Sequence, residues 1–317
     1  MEIAPSLAGK LLLKEELQLE DDQIDQLLES KYLIKTPAIS KTFFRTSCNR
    51  CGNKKKHLFG TINCYRCKQT HLYCRNCIET GRAMECTMLY EWTGPAPTWP
   101  AQESPCAWDG SLTTAQAKTA DKIQQTIRQN QELLTWAVCG AGKTEMLFPG
   151  ITTALKQGKR VCLATPRSDV VRELMPRFQS AFPHTNIEAL YANSEQKTGI
   201  GQLIIATTHQ LIRYRHAFDV MIIDEIDAFP FHQDPSLHWL AERACKPTSS
   251  RIYLTATPRK QLKKRVQQKK LLTAFVPIRF HGYPLPVPTP KLEWNLRKKI
   301  KTHQLPSTLA TFLKTKN

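Results

Sequence analysis

Nowhere in the 317 residues is there a run of about 20 apolar side chains, so no segment reads as a helix able to cross a bilayer. The chain does not open on a basic stretch followed by an apolar run, and a secretory signal is not expected. Cytoplasmic is the default expectation. Acidic residues run short near the end: from Pro258 to Asn317, Glu293 stands alone against 15 Lys and Arg. Such one-sidedness implies an acidic partner, nucleic acid ahead of anionic lipid, with a solvated basic linker as the plainer alternative. The polar excess of a disordered chain is also missing. At 41% hydrophobic and 23% charged residues, the composition is that of a globular protein with one large core or two modest ones.

What the chain does have is positive charge and paired cysteines. The formal net charge is +18, and clusters such as Lys263-Lys264-Arg265 and Arg297-Lys298-Lys299 suit phosphate contacts, which need many point charges and little geometry. Six of the 11 cysteines fall in C-x-x-C pairs: Cys48/Cys51, Cys64/Cys67 and Cys74/Cys77. That spacing lets both thiolates of a pair point inward from one tight turn, and two pairs complete a tetrahedral zinc site. In a reducing compartment metal comes before disulfide, with redox chemistry as the competing reading. Six thiolates exceed one zinc, so the ligand set stays open; His57 and His71 could complete a second site or be surface histidines. Basic residues and Tyr65, Tyr73 and Phe59 interleave the ligands, a mixture suited to phosphate contact and base stacking, or to a structural knuckle with a wet basic surface.

The segment before the cysteines, residues 7–34, reads as an acidic amphipathic helix carrying Leu11, Leu12, Leu17, Ile24, Leu27 and Leu28 on a broken stripe. After them, Trp92 to Pro100 is rich in proline and marks a domain boundary. Beyond about Trp108, short apolar strands alternate with helical stretches, the pattern of a parallel sheet covered by helices on both faces. The organisation expected is a helical segment over 1–47, a zinc module over 48–90, a linker over 91–110, a nucleotide-binding lobe over 111–278 and a basic tail over 279–317.

Within that lobe, Ala137-Val-Cys-Gly-Ala-Gly-Lys-Thr144 follows a strand and opens a helix. Backbone amides of Gly140, Ala141, Gly142, Lys143 and Thr144 would face the phosphates of a nucleotide; Lys143 would neutralise the outer phosphates and the Thr144 hydroxyl would ligate Mg2+. Ile222-Ile-Asp-Glu-Ile-Asp227 is a strand ending in carboxylates. Asp224 is the expected magnesium ligand, direct or through water, and Glu225 the base that orients and deprotonates the attacking water. An acidic cap after a buried strand is the plain alternative. Gln116, about twenty residues before the first strand, has the donor and acceptor to read adenine, which argues for ATP. Three further strands end in Thr165-Pro166-Arg167, Thr208-His209-Gln210 and Thr255-Ala256-Thr257. In an open parallel sheet such ends gather at one edge, where ligands bind.

This order of motifs resembles superfamily 2 helicases. Together with Tyr73-Cys-Arg-Asn-Cys-Ile-Glu-Thr-Gly-Arg82, Asp224-Glu-Ile-Asp-Ala-Phe-Pro230 and Arg279-Phe-His-Gly-Tyr-Pro284, it resembles more narrowly the ComFA family of bacterial DNA-uptake ATPases. The resemblance implies a RecA-like lobe behind a four-cysteine zinc site, with Cys48/Cys51 and Cys74/Cys77 as the best-matching pairs. It implies an ATP-driven translocase of single-stranded DNA, peripheral at the inner face of the membrane. Thr165, Pro166, Arg167, Thr208, His209 and Gln210 would face the DNA backbone, and Thr255 and Thr257 would couple nucleotide state to DNA grip. Expected partners are the membrane DNA channel and a ComF-family phosphoribosyltransferase-like protein. Such motors carry a second RecA-like lobe bearing an arginine finger, and no Q-x-x-G-R-x-G-R run follows Pro258. A truncated chain, weak in turnover unless another copy or a second-lobe chain supplies the arginine, is therefore expected. A non-catalytic zinc-dependent fragment that holds single-stranded DNA, and a primosomal or repair-type helicase, are the competing readings.

Overall fold

The computed structural model describes residues 3–192, 194, 198–282, 288–290 and 292–314. They divide into two compact units, up to His281 and from Gly282 onward.

The N-terminal part of the first unit is built from short pieces: α1 (Ala4–Leu7), β1 (Leu11–Leu13), α2 (Asp21–Glu29), β2 (Leu33–Pro37), β3 (Ile39–Lys41), β4 (Thr46–Cys48), β5 (Phe59–Asn63), β6 (Thr70–Cys74) and β7 (Met88–Trp92). The long helix expected over residues 7–34 is not what forms, and the helical segment expected over 1–47 holds short helices among strands. Beyond the single turn of α1, α-helix occupies only the acidic stretch of α2, while Leu11–Leu13 pairs antiparallel with β7 and is buried at every position. A run of three leucines has no polar face for a helix to turn outward; buried on both sides it satisfies its backbone in a sheet. β7 lies between β1 and β2, while β3 with β4 and β5 with β6 form two-stranded hairpins.

The lobe follows: α3 (Thr114–Gln129), β8 (Glu132–Ala137), α4 (Lys143–Lys156), β9 (Val161–Thr165), α5 (Ser168–Ala181), β10 (Ile187–Leu190), β11 (Leu203–Thr207), β12 (Phe218–Ile223), α6 (Pro235–Ala244), β13 (Cys245–Thr255), α7 (Lys260–Gln267) and β14 (Leu272–Val276). Seven parallel strands run in the order β10-β11-β9-β12-β13-β8-β14. Strands buried on both faces need continuous apolar runs, and β9 and β11 are buried at all five of their positions. One face packs on α3, α4 and α5 through Ile123, Ile127, Leu147, Phe148, Ile151 and Phe178. The opposite face meets α6 and also the N-terminal part, so that Leu11, Leu13 and the cysteines at 48, 51, 74 and 77 share a core with Ala164, Ala206, Met221 and Ile223.

Polar hubs lock these parts together. The half-buried Arg243 of α6 donates through its guanidinium to the carbonyls of Arg50 (2.5 Å), Ile212 (2.6 Å), Tyr214 (3.1 Å) and Asn49 (3.4 Å). Glu16 accepts from the fully buried Arg50 on one side (2.7 and 2.8 Å) and from Arg213 of the lobe on the other (2.9 Å). The proline-rich stretch at 93–113 is a strap laid across the lobe: Trp99 covers Arg160, and the amides of Gln102 and Ala107 donate to Leu155 and Ala181. The second unit holds α8 (Leu296–Lys301) and α9 (Ser307–Lys314), with Trp294, Ile300, Leu309 and Phe312 largely exposed.

Candidate functional site

Parallel register brings the predicted motifs to one sheet edge. Thr207 is level with Thr165, Ile223 with Ala164 and Tyr253, and Thr255 with Trp136. Only β13 lies between β8, which carries the glycine-rich loop, and β12, which carries the carboxylates. At about 5 Å per strand spacing the two motifs sit roughly 10 Å apart across Thr255.

The loop owes its shape to its glycines. Gly140 (φ +75°) and Gly142 (φ +69°) both adopt the left-handed conformation, after which Lys143 begins α4. Gly142 is constrained twice, since a Cβ there would stand 2.4 Å from Nε2 of Gln116. That glutamine is buried, with both ends of its amide engaged: Oε1 accepts from the Thr113 amide (2.8 Å), forming a capping box on α3, and Nε2 donates to the Ala141 carbonyl (2.9 Å). Gln116 thus braces the loop, and contact with adenine from this residue would require those bonds to open. The amide of Phe280 donates to the Gly140 carbonyl (3.0 Å), and the Arg279 chain passes over Gly140. These two residues belong to a quoted motif but received no role in the sequence reading; Tyr283 and Pro284 of the same motif lie outside the described residues.

At the end of β12, Asp224 accepts from the Glu225 amide (2.9 Å), and Glu225 itself takes a left-handed φ of +50°. A side chain bearing a Cβ holds that conformation only where its surroundings enforce it, at a cost of about 1 kcal/mol or more. Crowding by protein raises the proton affinity of Asp224, opposed by the Lys143 ammonium. The residue the sequence reading passed over is Asp227, the last acid of the motif. Its carboxylate accepts from Thr255 Oγ1 (2.6 Å) and from Thr257 Oγ1, while Thr255 Oγ1 also accepts from the Thr257 amide (3.0 Å). Burial works against its charge, but the two hydroxyls and Lys143 hold its proton affinity below the ordinary range. The repeated acid two residues after Glu225 was the available signal.

The strand ends divide by exposure. Arg167 and His209 are exposed and Gln210 is half-buried. Thr165, Pro166 and Thr208 are buried, each closing a strand end against the core, so their side chains do not face outward as expected. Arg167 forms a fork on Asp169 (2.5 and 3.2 Å) and lies within the field of Glu225.

The cysteines sort into two groups. Cys48, Cys51, Cys74 and Cys77 are buried with all four sulfurs within 4.8 Å of one another. Cys48 and Cys77 are 3.7 Å apart and Cys51 and Cys74 3.5 Å. A tetrahedron of thiolates at about 2.3 Å from a metal has edges of about 3.8 Å, so the donor set fits a structural metal. Hydrogen bonds among the four sulfurs drive Cys74 toward the thiolate and Cys77 away from it. Cys64 and Cys67 stand apart from this group.

The family model for the competence protein ComFA N-terminal domain matches residues 1–91, and that for the type III restriction enzyme res subunit matches residues 109–260. Competence protein ComFA of Bacillus subtilis (strain 168) is 41% identical over 315 residues, covering 98% of this chain and 67% of the relative. The chain belongs to the ComFA family. Competence protein ComFA of Streptococcus pneumoniae (strain ATCC BAA-255 / R6) is 32% identical over 314 residues, covering 99% of this chain and 68% of its own length. The chain thus spans about two thirds of these ComFA relatives. Among solved structures, the Sulfolobus solfataricus SWI2/SNF2 ATPase core in complex with dsDNA matches with TM-score 0.41 and 20% identity, covering 50% of this chain and 35% of its own. A hypothetical ATP-dependent RNA helicase from Sulfolobus tokodaii matches with TM-score 0.43 and 17% identity, covering 53% of each chain. On the res-subunit model and the ComFA relatives, the lobe is that of a helicase-type ATPase, a class that works on a nucleotide with Mg2+.

Proposed function

We propose that this chain couples ATP bound at the Gly140–Thr144 loop to a grip on single-stranded DNA, as the motor of competence DNA uptake. The observation that carries the reading is the Asp227 bridge. One carboxylate, two residues from the proposed base, holds Thr255 at the end of the strand that separates the phosphate loop from β12 and Thr257 just beyond it. Any change in charge at the phosphate end is then felt along Thr255–Thr257 by a hydrogen-bond network with few degrees of freedom.

The roles follow from chemistry. The amides of Gly140 to Thr144 and the Lys143 ammonium hold the phosphates, while the Thr144 hydroxyl and Asp224 hold Mg2+, which supplies charge neutralisation to the departing phosphate. Glu225 orients water and takes its proton, in a backbone conformation fixed before substrate arrives. On the DNA side, Arg167, His209 and Gln210 offer accessible groups at the same edge, with the basic stretches around Lys263 and Arg297 as sources of phosphate contact. Zinc in the four-cysteine site would fix the N-terminal part to the lobe. The membrane DNA channel and a ComF-family phosphoribosyltransferase-like protein are the partners proposed, with the chain peripheral at the inner membrane face.

Steady-state ATP hydrolysis by the zinc-replete chain, with and without single-stranded DNA, tests this reading. DNA-stimulated hydrolysis that Glu225→Gln abolishes supports a motor. Salt-sensitive DNA binding with hydrolysis at background in both proteins would support the non-catalytic fragment instead, and a preference for forked duplex a repair-type helicase.

A further inference from the structure

We infer that the chain carries a second zinc site, formed by Cys64, Cys67, Cys86 and His71. The three sulfurs lie within 4.8 Å of one another, with Cys64 and Cys86 3.7 Å apart, the edge expected of a thiolate tetrahedron and far beyond the ~2 Å of a disulfide. Nε2 of His71 lies 3.0 Å from the Cys67 sulfur but not within 4.8 Å of all three sulfurs, so it is the neighbouring nitrogen donor that can swing into the fourth position. A sulfur–nitrogen edge about a shared zinc is roughly 3.5 Å, so the imidazole must turn from Cys67 toward Cys64 and Cys86 by more than about 1 Å when metal binds. Its other nitrogen, Nδ1, faces the Glu85 carboxylate at 3.9 Å, and that carboxylate is itself fixed by the Leu72 amide (2.7 Å). At that distance the carboxylate is a charge near the ring and not a hydrogen-bond partner; closing the gap would give the carboxylate–histidine arrangement that orients imidazole toward a metal.

Backbone geometry supplies independent support. At the buried site, the Cys48 amide donates to the Asn53 carbonyl (2.9 Å), the Gly52 amide donates to the Cys48 carbonyl (2.8 Å), and Gly52 has φ +72°. At the second group the Cys64 amide donates to the Gln69 carbonyl (2.8 Å), the Lys68 amide donates to the Cys64 carbonyl (2.9 Å), and Lys68 has φ +59°. The chain makes the same metal-presenting turn twice, the second time with a lysine in a conformation that ordinarily favours glycine.

The site also answers a stability need. β5 and β6 form a two-stranded hairpin, extended only by the backbone bonds of β6 to Ala83–Glu85, and its only buried position is Cys74 at its open end. A hairpin with so little core is marginal in water. The four-cysteine site holds its open end through Cys74; a second metal would pin its tip, through Cys64 and Cys67, to the segment carrying Cys86. Metal-binding free energy then supplies what burial does not.

The test is zinc stoichiometry of the full chain purified under reducing conditions without chelator, with Cys86→Ser and His71→Ala as variants. Two equivalents are expected in the parent and one in Cys86→Ser. Cobalt substitution separates the two sites: a three-sulfur, one-nitrogen spectrum should vanish in both variants while the four-sulfur spectrum stays. Native alkylation adds a readout free of folding, with Cys64, Cys67 and Cys86 protected when loaded and labelled after chelation. One equivalent in the parent with these three thiols freely alkylated overturns the inference, as does a Cys64–Cys86 disulfide in the reduced protein. Loss of the four-cysteine site alone would show the opposite pattern, one equivalent that Cys86→Ser removes.

Discussion

Replacing Gly142 by alanine should weaken the nucleotide site by two separable routes. A Cβ at φ +69° costs about 1–2 kcal/mol, because the left-handed region crowds any side chain. Independently, that Cβ would sit 2.4 Å from Gln116 Nε2, so the glutamine must swing away and give up its bonds to the Ala141 carbonyl and the Thr113 amide. Two buried neutral hydrogen bonds are together worth about 2 kcal/mol. The sum, about 3–4 kcal/mol, is some two to three orders of magnitude in an equilibrium constant. Urea unfolding and titration of a fluorescent ATP analogue read its distribution between folding and binding. Gln116→Ala alone should cost about 2 kcal/mol. In the double variant the two hydrogen bonds are lost once and the collision partner is gone, so the total should fall short of the sum of the single changes by about 2 kcal/mol. Strict additivity would refute the reasoning that the loop and the helix cap are braced against each other.

Other expectations follow from individual contacts. Arg243→Ala strands four carbonyls, Asn49 and Arg50 of the N-terminal part and Ile212 and Tyr214 of the lobe, and should destabilise the chain by about 3 kcal/mol in urea unfolding; Arg243→Lys should recover little, since an ammonium cannot match the planar fork. Thr255→Val with Thr257→Val should leave ATP-analogue affinity within a few-fold yet remove any effect of nucleotide on DNA affinity, because Asp227 keeps its charge but loses its grip on β13. Burial, with the nearby Arg160 adding to it, pushes the Lys10 ammonium down to about 7 from 10.5. The unfolded chain therefore holds a proton that the folded chain has released between those values, and stability should rise across that window, by up to ~1.4 kcal/mol per pH unit. In Lys10→Met the rise between pH 7 and 9 should flatten.

The parts legible in the sequence were those that repeat or align. The strand–loop–helix around Gly140, the carboxylates after a Val, Met and Ile strand, and the C-x-x-C spacing each announce a backbone shape locally. What escaped depended on partners distant in sequence. Leu11–Leu13 looks helical until β7, some 80 residues on, offers it an edge. Thr165 and Thr208 look like outward-facing strand ends, and the register that buries them is a property of the whole sheet. Gln116 has the chemistry to read a base, but its amide is taken by Thr113 and Ala141. Cys86 has no x-x-C partner, and its company is visible only once the hairpin folds over it.

A motor of this kind requires that nucleotide at the Gly140–Thr144 loop change the hold on DNA. The direct measurement is fluorescence anisotropy of a labelled single-stranded oligonucleotide against the zinc-replete chain, with and without a non-hydrolysable ATP analogue and Mg2+, in parent and Lys143→Ala. The account predicts salt-sensitive binding whose affinity shifts several-fold with the analogue in the parent and stays put in Lys143→Ala. DNA affinity indifferent to nucleotide in both proteins, with the analogue bound, would contradict it.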